Sequence, residues 1–167
     1  MDFALTANQE SIRDAVAKIC ARFDDAYWLK KDKEGGYPAD FHKALAEAGW
    51  LGICIPEEYG GSGLGITDAA IMMRTISESG AGMSGASAVH MNVFGLNPVV
   101  VFGNEEQCGR MLPPIIHATQ KSCLADTEPN TGLNHTQPQP RRVTPATKTH
   151  RQRDERWSPP PTLSHKP

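Results

Sequence analysis

The stretch Cys123-Leu124-Ala125-Asp126-Thr127-Glu128-Pro129-Asn130-Thr131-Gly132-Leu133-Asn134 opens like a strand and closes like a loop. Pro129 fixes φ, while Asn130 and Gly132 tolerate positive φ, so a turn is expected there. Thr127 offers a hydroxyl just before the turn. The backbone N–H groups from Asn130 to Asn134 could converge on an anion, typically a phosphate. A polar surface turn has the same composition, and both readings stay open on these residues alone. The chain before this stretch reads as helices. The chain after it reads as a basic, proline-rich tail.

The helical part begins with Thr6-Ala7-Asn8-Gln9, which has the form of a capping box. Ile12, Ala15, Val16, Ile19, Cys20 and Phe23 then share one helical face, with Glu10, Arg13, Asp14 and Lys18 opposite. Asp24 to Gly36 is polar and charged, and only Tyr27 and Trp28 are expected to pack on the bundle. Pro38 suits a helix start, Phe41, Ala44, Leu45 and Ala48 a buried face, and Gly49 a stop. The apolar run Leu51 to Ile55 leads into a glycine-rich loop through Gly65. No Gly-Lys-Ser/Thr follows, so its glycines are read as allowing sharp turns and close packing, not as a phosphate loop.

Thr67 is expected to cap a helix whose inner face carries Ile71, Met72, Thr75, Ile76 and Ser79, closed by Gly80. Gly82 to Phe102 is the most apolar region and rich in small residues. They allow backbones to approach or leave room for a ligand chain. His90, alone among apolar residues, is read as a hydrogen-bonded core group and not as an acid–base catalyst. Asn97-Pro98 bends or interrupts that helix. Asn104 caps another helix, with Gln107 three residues on. Its apolar side, Met111, Leu112, Ile115 and Ile116, is expected to be interrupted by Pro113-Pro114.

The chain has 167 residues and a formal charge of −2. That near-neutrality hides an asymmetry, because residues 138–167 are basic and the remainder is acidic. Cys20, Cys54, Cys108 and Cys123 are far apart and form no metal pattern or compact disulfide framework, which fits a reducing, cytoplasmic setting. Met1-Asp2-Phe3-Ala4 does not have the form of a signal peptide, and no apolar run is read as spanning a bilayer. The arginines of the tail lack the interleaved aromatics of a nucleic-acid binder. No catalytic or metal-ligating constellation is evident.

Three segments together resemble the acyl-CoA dehydrogenases. The first is the opening stretch, which is similar to the family's flavin-binding signature of a small residue, an apolar residue, Ser/Thr-Glu-Pro and a glycine-containing loop. The second runs from Gly49-Trp50-Leu51-Gly52 through Pro56-Glu57-Glu58-Tyr59-Gly60-Gly61 to Gly65. The third is Gly103-Asn104-Glu105-Glu106-Gln107 followed by Leu112-Pro113-Pro114. The resemblance covers roughly residues 6–137.

The resemblance implies a mostly α fold, the up-and-down helical domain of an acyl-CoA dehydrogenase over residues 1–121. The first strand of an otherwise missing β-barrel domain would fall in 122–137, and a disordered tail in 138–167. It implies flavin-dependent α,β-dehydrogenation of acyl-CoA thioesters, with FAD as cofactor and with homo-oligomers and an electron-transfer flavoprotein as partners. Leu124, Ala125, Asp126, Thr127 and Leu133 match cofactor-binding positions. Ser87, His90, Phe94 and Leu133 match positions near the acyl-CoA. The family's catalytic glutamate has no counterpart here. Asp126 replaces an apolar residue, Leu133 lacks a common hydroxyl and Asn134 replaces a common aspartate. The chain is therefore expected to be a fragment, inactive alone. The alternative is a non-catalytic helical module that associates with full-length subunits or other proteins.

Overall fold

A computed structural model of the chain describes residues 4–122 and the strand residues 141–143 and 150–152. The chain divides into two units, residues 1–122 and 123–167. The first unit is helical: α1 (Ala7–Cys20), α2 (Asp25–Glu34), α3 (Ala39–Glu47), α4 (Ile66–Ile76), α5 (Gly82–Phe94), α6 (Asn97–Phe102) and α7 (Glu105–Ile116). Two single 3-10 turns, Trp50–Gly52 and Glu57–Tyr59, join α3 to α4.

Thr6 caps α1 through the reciprocal bonds of a capping box, and Asn104 and Gln107 do the same for α7. The apolar stripe of α1 buries Ile12, Val16 and Cys20 and lies against α4. Phe41 and Leu45 of α3 and Met72 and Ile76 of α4 are fully buried in the same cluster. Each such side chain contributes roughly 1.5–3 kcal/mol by leaving water. Phe23, Tyr27, Trp28 and Phe41 meet edge to face with ring centroids 5.0–5.3 Å apart. A second cluster, Ile55, Leu96, Cys108, Leu112, Ile115 and Ile116, seats α7 beside the two 3-10 turns.

Four local expectations are corrected. Residues 25–34, read only as polar chain, form α2. Asp24 caps it by accepting from Tyr27 N at 2.9 Å, and the Trp28 indole N–H donates to Phe23 O at 3.1 Å. Caps and one anchored indole hold this helix without an apolar stripe. Ala48, expected on the buried face of α3, is exposed, because the helix ends at Glu47 before Gly49 turns left-handed at φ 80°. Helix α4 starts one residue before Thr67. Gly65 takes the cap position, its N–H donating to the Asp68 carboxylate at 3.2 Å. Helix α7 runs through Pro113 and Pro114, because both sit in its last turn. The carbonyls that they deprive of a partner belong to exposed Gly109 and Arg110, where water can reach. A further stretch, Ile66–Phe102, is long and apolar enough, on length and composition alone, to pass for a spanning helix, at a mean hydropathy of 1.2. Its backbone is broken by Gly80, at φ 93°, and again between α5 and α6.

The glycine-rich loop folds back on the apolar run before it. Ser62, Gly63 and Leu64 donate their N–H groups to the carbonyls of Gly52, Ile55 and Ile53 at 3.0, 2.8 and 2.9 Å. The close approach requires Gly61, where a Cβ would overlap the Ile55 carbonyl. In the second unit, Arg141–Val143 (β1) and His150–Gln152 (β2) pair antiparallel.

Candidate functional site

Gly80 turns the chain back, so α4 and α5 form a hairpin in which the start of α4 approaches the end of α5. An open cleft of about 480 Å³ lies there. Helix α4 contributes Ile66, Ala69, Ala70 and Met73, and α5 contributes His90, Val93 and Phe94. Cys54 comes from the apolar run before the glycine-rich loop, Leu64 from that loop and Asn97 from the start of α6. Mostly apolar walls with a few polar groups, at this volume, suit a small molecule or an acyl chain.

The His90 ring stacks on Phe94, with centroids 5.1 Å apart and planes 15° from parallel. Burial pushes the Cys54 thiol above its ordinary range, and the Asp68 carboxylate adds to the shift. The thiol points its S–H towards Gly65 O at 3.8 Å, so it is a protonated wall group and not a ready nucleophile. The lining contains no carboxylate. Among the described residues no group of three or more His, Cys, Asp and Glu side chains is placed to hold a metal. The cleft can enclose and orient a chain, but it brings no carboxylate base of its own.

A buried polar network fixes the far side of α5. His42 Nε2 and Asn92 Oδ1 are 3.2 Å apart, and the Asn92 amide donates to Ile115 O at 3.3 Å, tying α3 and α5 to α7. Burial lowers the pKa of His42, the Asn92 hydrogen bond opposes this, and the nearby Lys121 ammonium adds to it. The Tyr37 hydroxyl donates to Ala88 O at 3.1 Å. The Lys121 ammonium sits 3.7 Å from the centroid of the Tyr37 ring, and the Ser122 hydroxyl donates to Met91 O at 3.2 Å. The described chain therefore leaves the bundle from beside α5.

Of the residues singled out from sequence, His90 and Phe94 meet in the cleft. Ser87 lies one turn earlier on α5, exposed and beyond the lining. His90 is exposed, not the core histidine expected; the buried, hydrogen-bonded histidine is His42. Leu124, Ala125, Asp126, Thr127 and Leu133, with the strand expected near Thr127, lie outside the described residues. The α4 wall went unread in the sequence, although Ile66, Ala70 and Met73 form a second apolar stripe beside the core-facing one.

Comparison with known proteins agrees with this architecture. The profile described as "Acyl-CoA dehydrogenase, N-terminal domain" matches residues 6–119. The probable acyl-CoA dehydrogenase YngJ of Bacillus subtilis is 33% identical over 134 residues, covering 79% of this chain and 34% of that protein. Butyryl-CoA dehydrogenase from Megasphaera elsdenii superposes with a TM-score of 0.73 at 25% identity, over 84% of this chain and 37% of that one. A chain from the structure described as electron transferring flavoprotein of Acidaminococcus fermentans superposes with a TM-score of 0.78 at 30% identity, over 89% and 39%. The chain spans about a third of the length of the curated relatives it matches. It belongs to the acyl-CoA dehydrogenase family, through that family's N-terminal helical domain.

Proposed function

We propose that the chain supplies the helical wall of an acyl-CoA site in flavin-dependent α,β-dehydrogenation, a reaction of fatty acid metabolism. The observation that carries this is the apolar cleft between α4 and α5, where His90 and Phe94 stand together. FAD, when bound, supplies the two-electron acceptor. Leu124, Ala125, Asp126, Thr127 and Leu133 would hold it, a proposal resting on the resemblance of that stretch to the family's signature. Support from the described residues is indirect: Lys121 and Ser122, just before the stretch, are fixed against Tyr37 and α5. This chain's own part is to bind the acyl group, exclude water from one side of it and hold it in place.

The polypeptide on its own is proposed to be a fragment with no turnover, since the cleft offers no carboxylate to take a proton from the substrate. Association with further copies and with an electron-transfer flavoprotein is proposed from the family. The free thiols of Cys20, Cys54 and Cys108 support a cytoplasmic setting. A visible absorbance spectrum of the purified polypeptide and an acyl-CoA oxidation assay test the reading. Substoichiometric flavin and no turnover are expected. Stoichiometric flavin with turnover of an acyl-CoA defeats the claim of inactivity.

A second reading, a non-catalytic module that associates with full-length subunits or other proteins, has its own support. Val101 and Phe102, at the end of α6, are 58% and 85% exposed. Size-exclusion chromatography with light scattering tests it, and a clean monomer at all concentrations, with no capture of full-length subunits, defeats it.

A further inference from the structure

Two polar side chains interrupt the apolar wall of the cleft, His90 on α5 and Asn97 at the start of α6. Among the described residues neither makes a hydrogen bond to the protein. The contact of His90 is the stack on Phe94, which covers one face of the imidazole and leaves its nitrogens at the ring edge. A neutral imidazole always keeps one N–H donor, and an amide keeps two. An alkyl chain laid against these groups would displace their water and return no acceptor, which costs binding. A carboxylate only accepts, and so complements donors. No Asp or Glu lines the cleft to take its place, and the Asp68 carboxylate, whose charge reaches Cys54, is engaged by the Gly65 N–H outside the lining.

We propose that the acyl group taken by this cleft is not a plain alkyl chain but one ending in a carboxylate, received by His90 and Asn97. The inference rests on the reading of the cleft as an acyl-CoA site. It adds the chemical class of the acyl group, and makes His90 a specificity-determining residue. Phe94 has the supporting part of holding the imidazole plane by stacking.

Titration calorimetry of the whole 167-residue chain with two thioesters of equal carbon number, hexanoyl-CoA and adipoyl-CoA, tests this. Adipoyl-CoA is expected to bind about tenfold more tightly, the worth of one charge-assisted hydrogen bond at a partly open site. His90→Phe keeps a flat ring for stacking and removes the nitrogens, so it should erase the preference while hexanoyl-CoA still binds. His90→Gln, which keeps a donor, should retain part of it. Ala70→Trp, which fills the cleft, should abolish binding of both thioesters. Far-UV circular dichroism of each variant confirms that it folds.

Equal binding of the two thioesters, or a preference unchanged in both His90 variants, overturns the inference and leaves the cleft reading in place. Failure of both thioesters to bind, or binding indifferent to Ala70→Trp, overturns the cleft reading and the inference with it.

Discussion

The fold disfavours the protonated form of His42. Its pKa is lowered, chiefly by burial, from the ordinary 6.5. The neutral form is therefore favoured by folding. Its contribution to stability is fully present above pH 6.5 and is lost as the pH falls through the lowered value. Urea midpoints should accordingly drop between pH 7.5 and pH 5.5, and drop less in His42→Gln, which can still bond to Asn92. Equal drops would show that other groups carry the effect. Asn92→Leu removes the shared partner and strands the His42 nitrogen, for a cost of about 1–3 kcal/mol at neutral pH, read from the same denaturation curves. By sequence, His90 looks the interior one, since it stands among small apolar residues. Nothing local distinguishes the two. His42 is buried because α5 packs against α3 and brings Asn92 to its ring, an arrangement of elements distant in the chain.

Among the elements, the glycines carry the sharpest expectations. Gly61→Ala would push a methyl group into the Ile55 backbone, which cannot swing aside, and should cost about 1–3 kcal/mol or more in thermal unfolding. Gly80→Ala meets mainly the Asp25 carboxylate, a mobile side-chain end, so its cost comes from the positive φ, about 1–2 kcal/mol. A Gly61→Ala protein as stable as the parent would refute the close-packing account of the loop.

Much of the element order was legible beforehand. The Thr6-Gln9 and Asn104-Gln107 boxes and the stripe from Ile12 to Phe23 each state their structure locally. Helix α2 was not legible, because one buried indole and a cap leave no period to detect. The cleft was only half legible. His90 and Phe94 came from the family resemblance, whereas the stripe of Ile66, Ala70 and Met73 was hidden by the stronger core-facing stripe beside it.

For the whole molecule, the balance of the two clusters matters more than any one contact. Leu112 is fully buried in the cluster that seats α7. Leu112→Ala should cost about 2–5 kcal/mol, and hydrogen exchange should show α7 loosening before α1 and α4. Uniform loosening would mean that the two clusters melt as one. Phe102→Ser, at a surface position, should change stability by no more than about 0.5 kcal/mol while reducing self-association in light scattering. Unchanged association would remove Phe102 from any contact between molecules.

The reversal at Gly80 has one more effect. Both walls of the cleft run to the opposite end of the hairpin, where the turn at Gly80 sets the angle between α4 and α5. That angle helps to fix the spacing between Ile66, at the start of α4, and Phe94, at the end of α5. The bore available to a guest thus depends on a residue outside its lining.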